Sequence, residues 1–392
     1  MNGPDQHAVI ANTVFDGVAC HEDCAVVVEG SRIANLVPRR ELPESMPKRI
    51  LPQRAWLAPG FIDVQVNGGS DVLFNEKPDL DGIKAIARAH RQFGTTALLP
   101  TLITDTPAKM RDALCAANEA LRIYPGVLGI HLEGPFVSPE KPGVHDRTLI
   151  RMPDQEDLEM LTSSRAGVTL VTLAPEKVSG GFIARLVDAG IRVSLGHSMA
   201  TYAQTKAALA EGLTGFTHLF NAMPPLASRE PGPIAAALET PGAWFGMIVD
   251  GEHVAPTMLR LALRGVAHPM LVTDAMPPVG GKKSSFKLYG EEIAVHNGRC
   301  TRADGTLAGA ALDMAAAVRN TVELLNVPLT QALRFAATEP ARFLGLDATL
   351  GRLAPGFRAD MVCFAPDTMR IHDTWVAGEA NDIKGEDNFK SL

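Results

Sequence analysis

Cysteine is scarce and unpatterned: five thiols, an odd number, lie at positions 20, 24, 115, 300 and 363 of 392 residues. That spacing excludes a disulfide-stapled secreted scaffold and predicts reduced thiols in a cytoplasmic protein. The first residues, MNGPDQHAVIANTVFDG, carry neither a basic stretch nor an apolar core, so no secretory signal is expected. No apolar run approaches the ~18 residues of a membrane span, which argues against a membrane partner. Basic runs are missing as well. Arg39–Arg40 and Lys282–Lys283 are the densest pairs in a chain of net charge −7, so nucleic acid is excluded as a partner. Neither G-x-x-x-x-G-K-S/T nor G-x-G-x-x-G follows a strand candidate, which removes the nucleotide-binding loops.

What the sequence has is apolar content (46% hydrophobic residues) and a length that buries about three quarters of the unfolded surface without staples. Eight apolar runs follow one another: FIDVQV (61–66), TALLPT (96–101), VLGIHLEG (127–134), VTLVTLA (168–174), IRVSLGHS (191–198), GFTHLF (215–220), WFGMIVDG (244–251) and MLVTDA (270–275). Amphipathic patterns such as LDGIKAIARAHRQFG (80–94), TPAKMRDALCAANEALR (106–122) and SMATYAQTKAALAEG (198–212) separate them. Strands buried on both faces and alternating with helices predict a parallel sheet, and eight such units predict an α/β fold of the closed (β/α)₈ TIM-barrel type. The barrel is assigned to residues 58–348, with a hairpin inserted at about 276–303, where Gly-Gly and SFKLYGEEIAVHNGR break the rhythm. Helices at 309–325 and 329–344 would then close it. Short strand-like runs at both chain ends predict one small β-sandwich domain from residues 1–57 and 349–392.

Function in such a barrel sits at the C-terminal ends of the strands. The polar residues expected there are Gln65 and Asn67, His131 and Glu133, His197, His218, Asp250 and His253, and Asp274. Charged or imidazole side chains on strands buried on both faces are costly unless they bind something. Glu133, His197 and His218 together offer a carboxylate and two imidazoles, a normal set for a catalytic Zn²⁺ with one open position. Fe²⁺, Co²⁺ or Mn²⁺ would also be held by it. Asp274, after an apolar run and before Met276-Pro277-Pro278, is read either as a loop cap or as a general base that later returns its proton to a leaving group. Beside a metal set it is read as catalytic. His131, two residues before Glu133 on one strand, is expected behind the ligands.

The strings APGFIDVQVNGG (58–69), GIHLEGPFVSPEKPGVHD (129–146), SLGHSMA (194–200), FTHLFNAMPPLASREPG (216–232), VDGEHVAP (249–256), LVTDAMPPVG (271–280) and TLAGAALDM (306–314) resemble the N-acetylglucosamine-6-phosphate deacetylases of the amidohydrolase superfamily, in the right order and over nearly the whole chain. The resemblance implies a metal-dependent hydrolysis of an N-acetyl amino-sugar phosphate, with one divalent ion per subunit and Zn²⁺ the expected metal. It places Glu133, His197 and His218 on the metal ligands and Asp274 on the acid/base aspartate. His145 falls on the histidine that meets the acetamide carbonyl, with Val144 beside it. Asn221 and Ala222 fall on sugar contacts, Arg229 and His253 on phosphate contacts with Asp250 nearby, and Leu307, Ala308 and Gly309 on a loop lining the substrate. It further implies a homodimer. Where most amidohydrolases carry His-x-His after strand one, this chain has Gln65-Val66-Asn67. An amide is a poor ligand beside imidazole, so a second metal is not expected, and Gln65 and Asn67 are read as hydrogen-bonding residues behind the first. The galactosamine epimer, another N-acyl amino-sugar phosphate, a cyclic-amide hydrolase and a non-catalytic scaffold remain as alternatives.

Overall fold

The computed structural model describes residues 6–163, 167–296 and 298–381. Residues 1–5 and 382–392, assigned above to the terminal β domain, lie outside the described residues, as does Asn297 in the insertion.

All eight apolar runs form strands. They are Phe61–Val66, Thr95–Ile103, Gly129–Glu133, Val168–Leu173, Arg192–Leu195, Gly215–Phe216, Trp244–Met247 and His268–Leu271, each parallel to its neighbour in the sheet. Closure comes from a parallel bridge between Val66 and Ala275 and from the Asp274 N–H donating to the Gln65 carbonyl at 3.0 Å. The first two strands are buried at every position, which is why their sequences do not alternate. Helices cover the outside, and their starts follow local chemistry. Asp79 caps Leu80–Arg91 by accepting from Gly82 N–H, Thr106 caps Pro107–Ile123 with proline in its first turn, and Thr201 and Gln204 form a reciprocal box ahead of Tyr202–Ala210.

Two elements differ from expectation. The helix predicted over 329–344 is two, Leu329–Ala336 and Thr338–Leu344, because Pro340 has no N–H to give and its ring would meet the carbonyl of Ala336. The insertion is longer than a 276–303 hairpin. Ser285–Leu288, Glu291–His296, Arg299–Thr301 and Leu307–Ala310 make a four-stranded antiparallel sheet, so a strand occupies the start of the helix predicted at 309. That helix begins at Met314, capped by Asp313. The inserted sheet has its own small core of Phe286, Leu288, Ile293, Cys300 and Ala308, packed on Leu73, Ile103 and Met276 of the barrel rim.

The chain ends share one sheet, in which Met361–Phe364 pairs antiparallel with Trp56–Pro59 and the latter runs parallel to Gln6–Phe15. Alternation sets its two faces. Val9, Ala11, Val26 and Val28 meet Met361 and Trp375, while Ala8, Ile10 and Ala25 meet Leu42 and Met46.

Phe343, 1% exposed on the last helix, packs against Trp244 at 6.0 Å between ring centroids. Phe343→Ala is expected to cost about 3–5 kcal/mol, read as a lowered denaturation midpoint, with metal content of the folded protein unchanged.

Candidate metal centre and catalytic pocket

Three strand ends supply one corner of the barrel mouth. Glu133 closes the third strand, His197 lies just beyond the fifth and His218 just beyond the sixth. The backbone turns left-handed at His197 (φ 48°), His218 (φ 31°) and, after the eighth strand, Asp274 (φ 50°). For residues with a Cβ this conformation costs about 1–3 kcal/mol each, a strain that the surrounding barrel must hold. It turns each side chain out of the strand's alternation and over the mouth.

The side chains converge. Glu133 Oε1 lies 3.0 Å from His197 Nε2 and 2.9 Å from His218 Nε2, and the two nitrogens are 3.1 Å apart. All three residues are buried. The His197 ring also bonds through Nδ1 to the Lys141 carbonyl at 2.9 Å, a pure acceptor, so in the neutral ring the proton sits on Nδ1. Its Nε2 lone pair therefore points at an anionic oxygen and at a second imidazole. A positive charge between them resolves this. Ligands at the usual 2.0–2.1 Å from a tetrahedral Zn²⁺ stand about 3.3 Å apart, close to the spacing seen. A divalent cation fits the donor set. Burial lowers the basicity of His218, but the hydrogen bond and charge of Glu133 overcome it and raise it above the ordinary imidazole value. Burial likewise pushes the Glu133 carboxyl up, and the bonds from His197 and His218 reverse this, holding it well below the carboxylate range.

Asp274 faces this corner. Its Oδ1 accepts from Asn67 Nδ2 at 2.7 Å and from Gln65 Nε2 at 3.2 Å, and the same Gln65 amide donates to Glu133 Oε2 at 3.1 Å. Both partners of Gln65 are carboxylates, so its NH₂ must face them. Gln65 thus reaches both Glu133 and Asp274. Burial, and then the Glu133 charge, raise the Asp274 pKa above the ordinary aspartate value. Beneath the seam, Asp63 accepts from the Thr273 hydroxyl at 2.5 Å and from the Gln65 N–H at 3.1 Å, and its burial pushes it up to about 7.

A cavity of about 240 Å³ opens over these groups. Glu133, His197, His218, Asp274 and Asn67 form its floor, with Val144, His145, Asn221, Ala222, His253, Leu307 and Gly309 among the walls. Burial, then the neighbouring His197, push the His145 pKa well below its ordinary value, and the two rings lie 4.3 Å apart.

A profile of the amidohydrolase family matches residues 56–383. The chain belongs to the amidohydrolase family. Among curated relatives, it is 42% identical to the N-acetylgalactosamine-6-phosphate deacetylase of Shewanella sp. (strain ANA-3), over 82% of each chain. It is 35% identical to the N-acetylglucosamine-6-phosphate deacetylase of Haemophilus influenzae, over 92% of this chain and 96% of that one. The crystal structure of N-acetylglucosamine-6-phosphate deacetylase from Pasteurella multocida superposes with a TM-score of 0.92 at 36% identity, covering 96% of this chain and 99% of that one.

The remaining residues singled out from this amidohydrolase's sequence fall in four places. Asp250 stands behind the wall, its Oδ2 2.6 Å from His253 Nδ1, which orients that ring. Ala308 is buried in the core of the insertion, and His131 lies below the floor, between Thr172 Oγ1 at 2.8 Å and Thr101 Oγ1 at 3.3 Å. Burial pushes His131 down to about 4, a neutral ring suited to that hydroxyl chain. Arg229 is not brought to the cavity. It is exposed on the proline-rich loop after Met223 and is not among the residues that line the cavity. Sequence reasoning missed Ile103, Gly143, Met276 and Thr306 on the walls. It also ended the second strand at 101 and so passed over Thr104, whose hydroxyl meets His145.

The purified amidohydrolase is expected to carry close to a single divalent ion per chain by elemental analysis. His197→Ala or His218→Ala should abolish that ion, and two tightly held ions would contradict the placement of Gln65.

Proposed function

We propose that the chain hydrolyses N-acetyl-D-glucosamine 6-phosphate to D-glucosamine 6-phosphate and acetate. The observation that carries this reading is the convergence of Glu133, His197 and His218 across a small cavity from Asp274, in a chain whose curated relatives are deacetylases of amino-sugar phosphates. Zn²⁺ is the metal we expect, bound by those three side chains.

When bound, such a cation polarises the amide carbonyl and lowers the pKa of water toward about 7. The protein's own groups do the rest. Asp274, held at Oδ1 by Gln65 and Asn67, accepts the proton of the attacking water at Oδ2. The same carboxyl then protonates the departing amine. His145 donates to the carbonyl oxygen as negative charge builds there. Asn221 and Ala222 meet the sugar, and Leu307 and Gly309 close over it from the insertion.

The phosphate needs cationic partners that offset a net charge of −7. His253 stands on the cavity wall, and Arg229 completes the phosphate end in a cytoplasmic homodimer, since its own chain leaves it exposed. Arg suits the role through its planar fork of donors. A second reading, the galactosamine epimer, is favoured by the 42% identity to the Shewanella protein.

Acetate release from N-acetylglucosamine, N-acetylgalactosamine and their 6-phosphates by zinc-loaded protein tests both. Turnover of a 6-phosphate and none of the free sugars supports the proposal, and the preferred epimer chooses between the readings. Asp274→Asn should retain the metal and lose about 10²–10⁴-fold in kcat. Arg229→Ala should raise KM for the phosphorylated sugar alone. Equal effects on sugar and sugar phosphate would remove Arg229 from the phosphate site.

A further inference from the structure

Thr104 follows the second barrel strand and is 1% exposed. Every polar group it owns is engaged. Its carbonyl accepts from the Tyr289 hydroxyl of the insertion. Its Oγ1 lies 2.6 Å from His145 Nδ1, and its backbone N–H donates to the same nitrogen at 3.4 Å. A backbone N–H has no lone pair to offer, so Nδ1 must be an acceptor. With the Thr104 hydroxyl donating at 2.6 Å beside the backbone N–H, the contacts assign a neutral ring with its lone pair on Nδ1. The ring proton of His145 therefore resides on Nε2, away from Thr104, on a residue that forms part of the cavity wall.

The fold makes room for this contact. A Cβ at Gly134 would lie 2.2 Å from Thr104 Oγ1, and Gly134 adopts φ +85°, a conformation that a side chain disfavours. The residue next to the ligand Glu133 thus leaves open the space through which the Thr104 hydroxyl reaches the imidazole.

We propose that Thr104 is a positioning residue that holds His145 in the Nε2–H tautomer, so that its ring donates to the substrate acetamide oxygen. The proposal rests on the deacetylase reading for the identity of that oxygen, while the tautomer stands on contacts within the chain. Without the Thr104 hydroxyl, Nδ1 keeps the 3.4 Å backbone contact and the ring its packing on His197, so the ring is held less firmly. It can then turn, or move its proton to Nδ1 and present a lone pair to a developing anion.

The test uses zinc-loaded Thr104→Val, nearly isosteric, and Thr104→Ser, which keeps the hydroxyl. Thr104→Val should lower kcat about 10- to 100-fold, at or below the usual loss of one oxyanion donor, with KM within about twofold. Thr104→Ser should stay close to wild type. Ring-nitrogen NMR of ¹⁵N-histidine protein, with His145 assigned by its loss in His145→Gln, should show an unprotonated Nδ1 and a protonated Nε2 in the wild type. In Thr104→Val the two signals should move toward each other. A protonated Nδ1 in the wild type, full turnover by Thr104→Val, or Thr104→Ser as impaired as Thr104→Val would each overturn the proposal. If the wild type releases acetate from no amino-sugar phosphate, the deacetylase reading fails by itself, and the nitrogen spectra still decide the tautomer and its dependence on Thr104.

Discussion

One carboxylate oxygen organises the mouth of this barrel. Glu133 Oε1 is approached within 3.0 Å by two imidazole nitrogens, one of which has its proton committed elsewhere, to the Lys141 carbonyl. That cluster of electron pairs suits a positive charge, and much nearby is arranged to keep it in place. Left-handed backbone at His197 and His218 aims the rings, and the Gln65 amide holds the other Glu133 oxygen. Gln65 then hands the constraint to Asp274, so that the Glu-His-His cluster and the carboxylate facing it are set by one side chain.

Polar order continues below the floor. His131, Thr172 and Thr217 form a buried hydrogen-bonded chain under Glu133, while Asp63 and Thr273 clasp the first and eighth strands under Asp274. Barrel interiors are ordinarily filled by branched apolar side chains. Here polar groups replace part of that filling, and a pairing error would leave a donor or acceptor buried without a partner, at a cost of about 1–3 kcal/mol each. The network therefore opposes small shifts of one strand against the next at the level where the ligands are mounted.

Much of this was legible in the sequence because burial on both faces removes alternation. FIDVQV and VLGIHLEG stand out as apolar runs whose polar residues have no solvent face to occupy, and the eight strands follow from that. The residues that close a strand, such as His197 and His218, are visible for the same reason. Conformation was less legible. Nothing in GHS or THL announces a left-handed imidazole, since the strain is imposed by the barrel rather than by local preference. Thr104 was hidden because threonine is an ordinary strand residue, and its partner His145 lies 41 residues away. The insertion was underestimated because Leu307–Ala310, a short run of small residues, gains its strand character only from pairing with Arg299–Thr301 and from Ala275 beside it. Arg229 was placed by its motif, whereas the loop's exposure is a property of the single folded chain.

The cavity is built by two structures with separate cores. Its floor is cut from the barrel and carries the reactive groups, whereas Thr306, Leu307 and Gly309 of one wall come from the inserted sheet, which has a separate core. Selection for a different sugar ring or a bulkier acyl chain could therefore reshape that wall while the floor beneath it keeps its chemistry. In this architecture one wall of the cavity is a module of its own, separable from the groups beneath it.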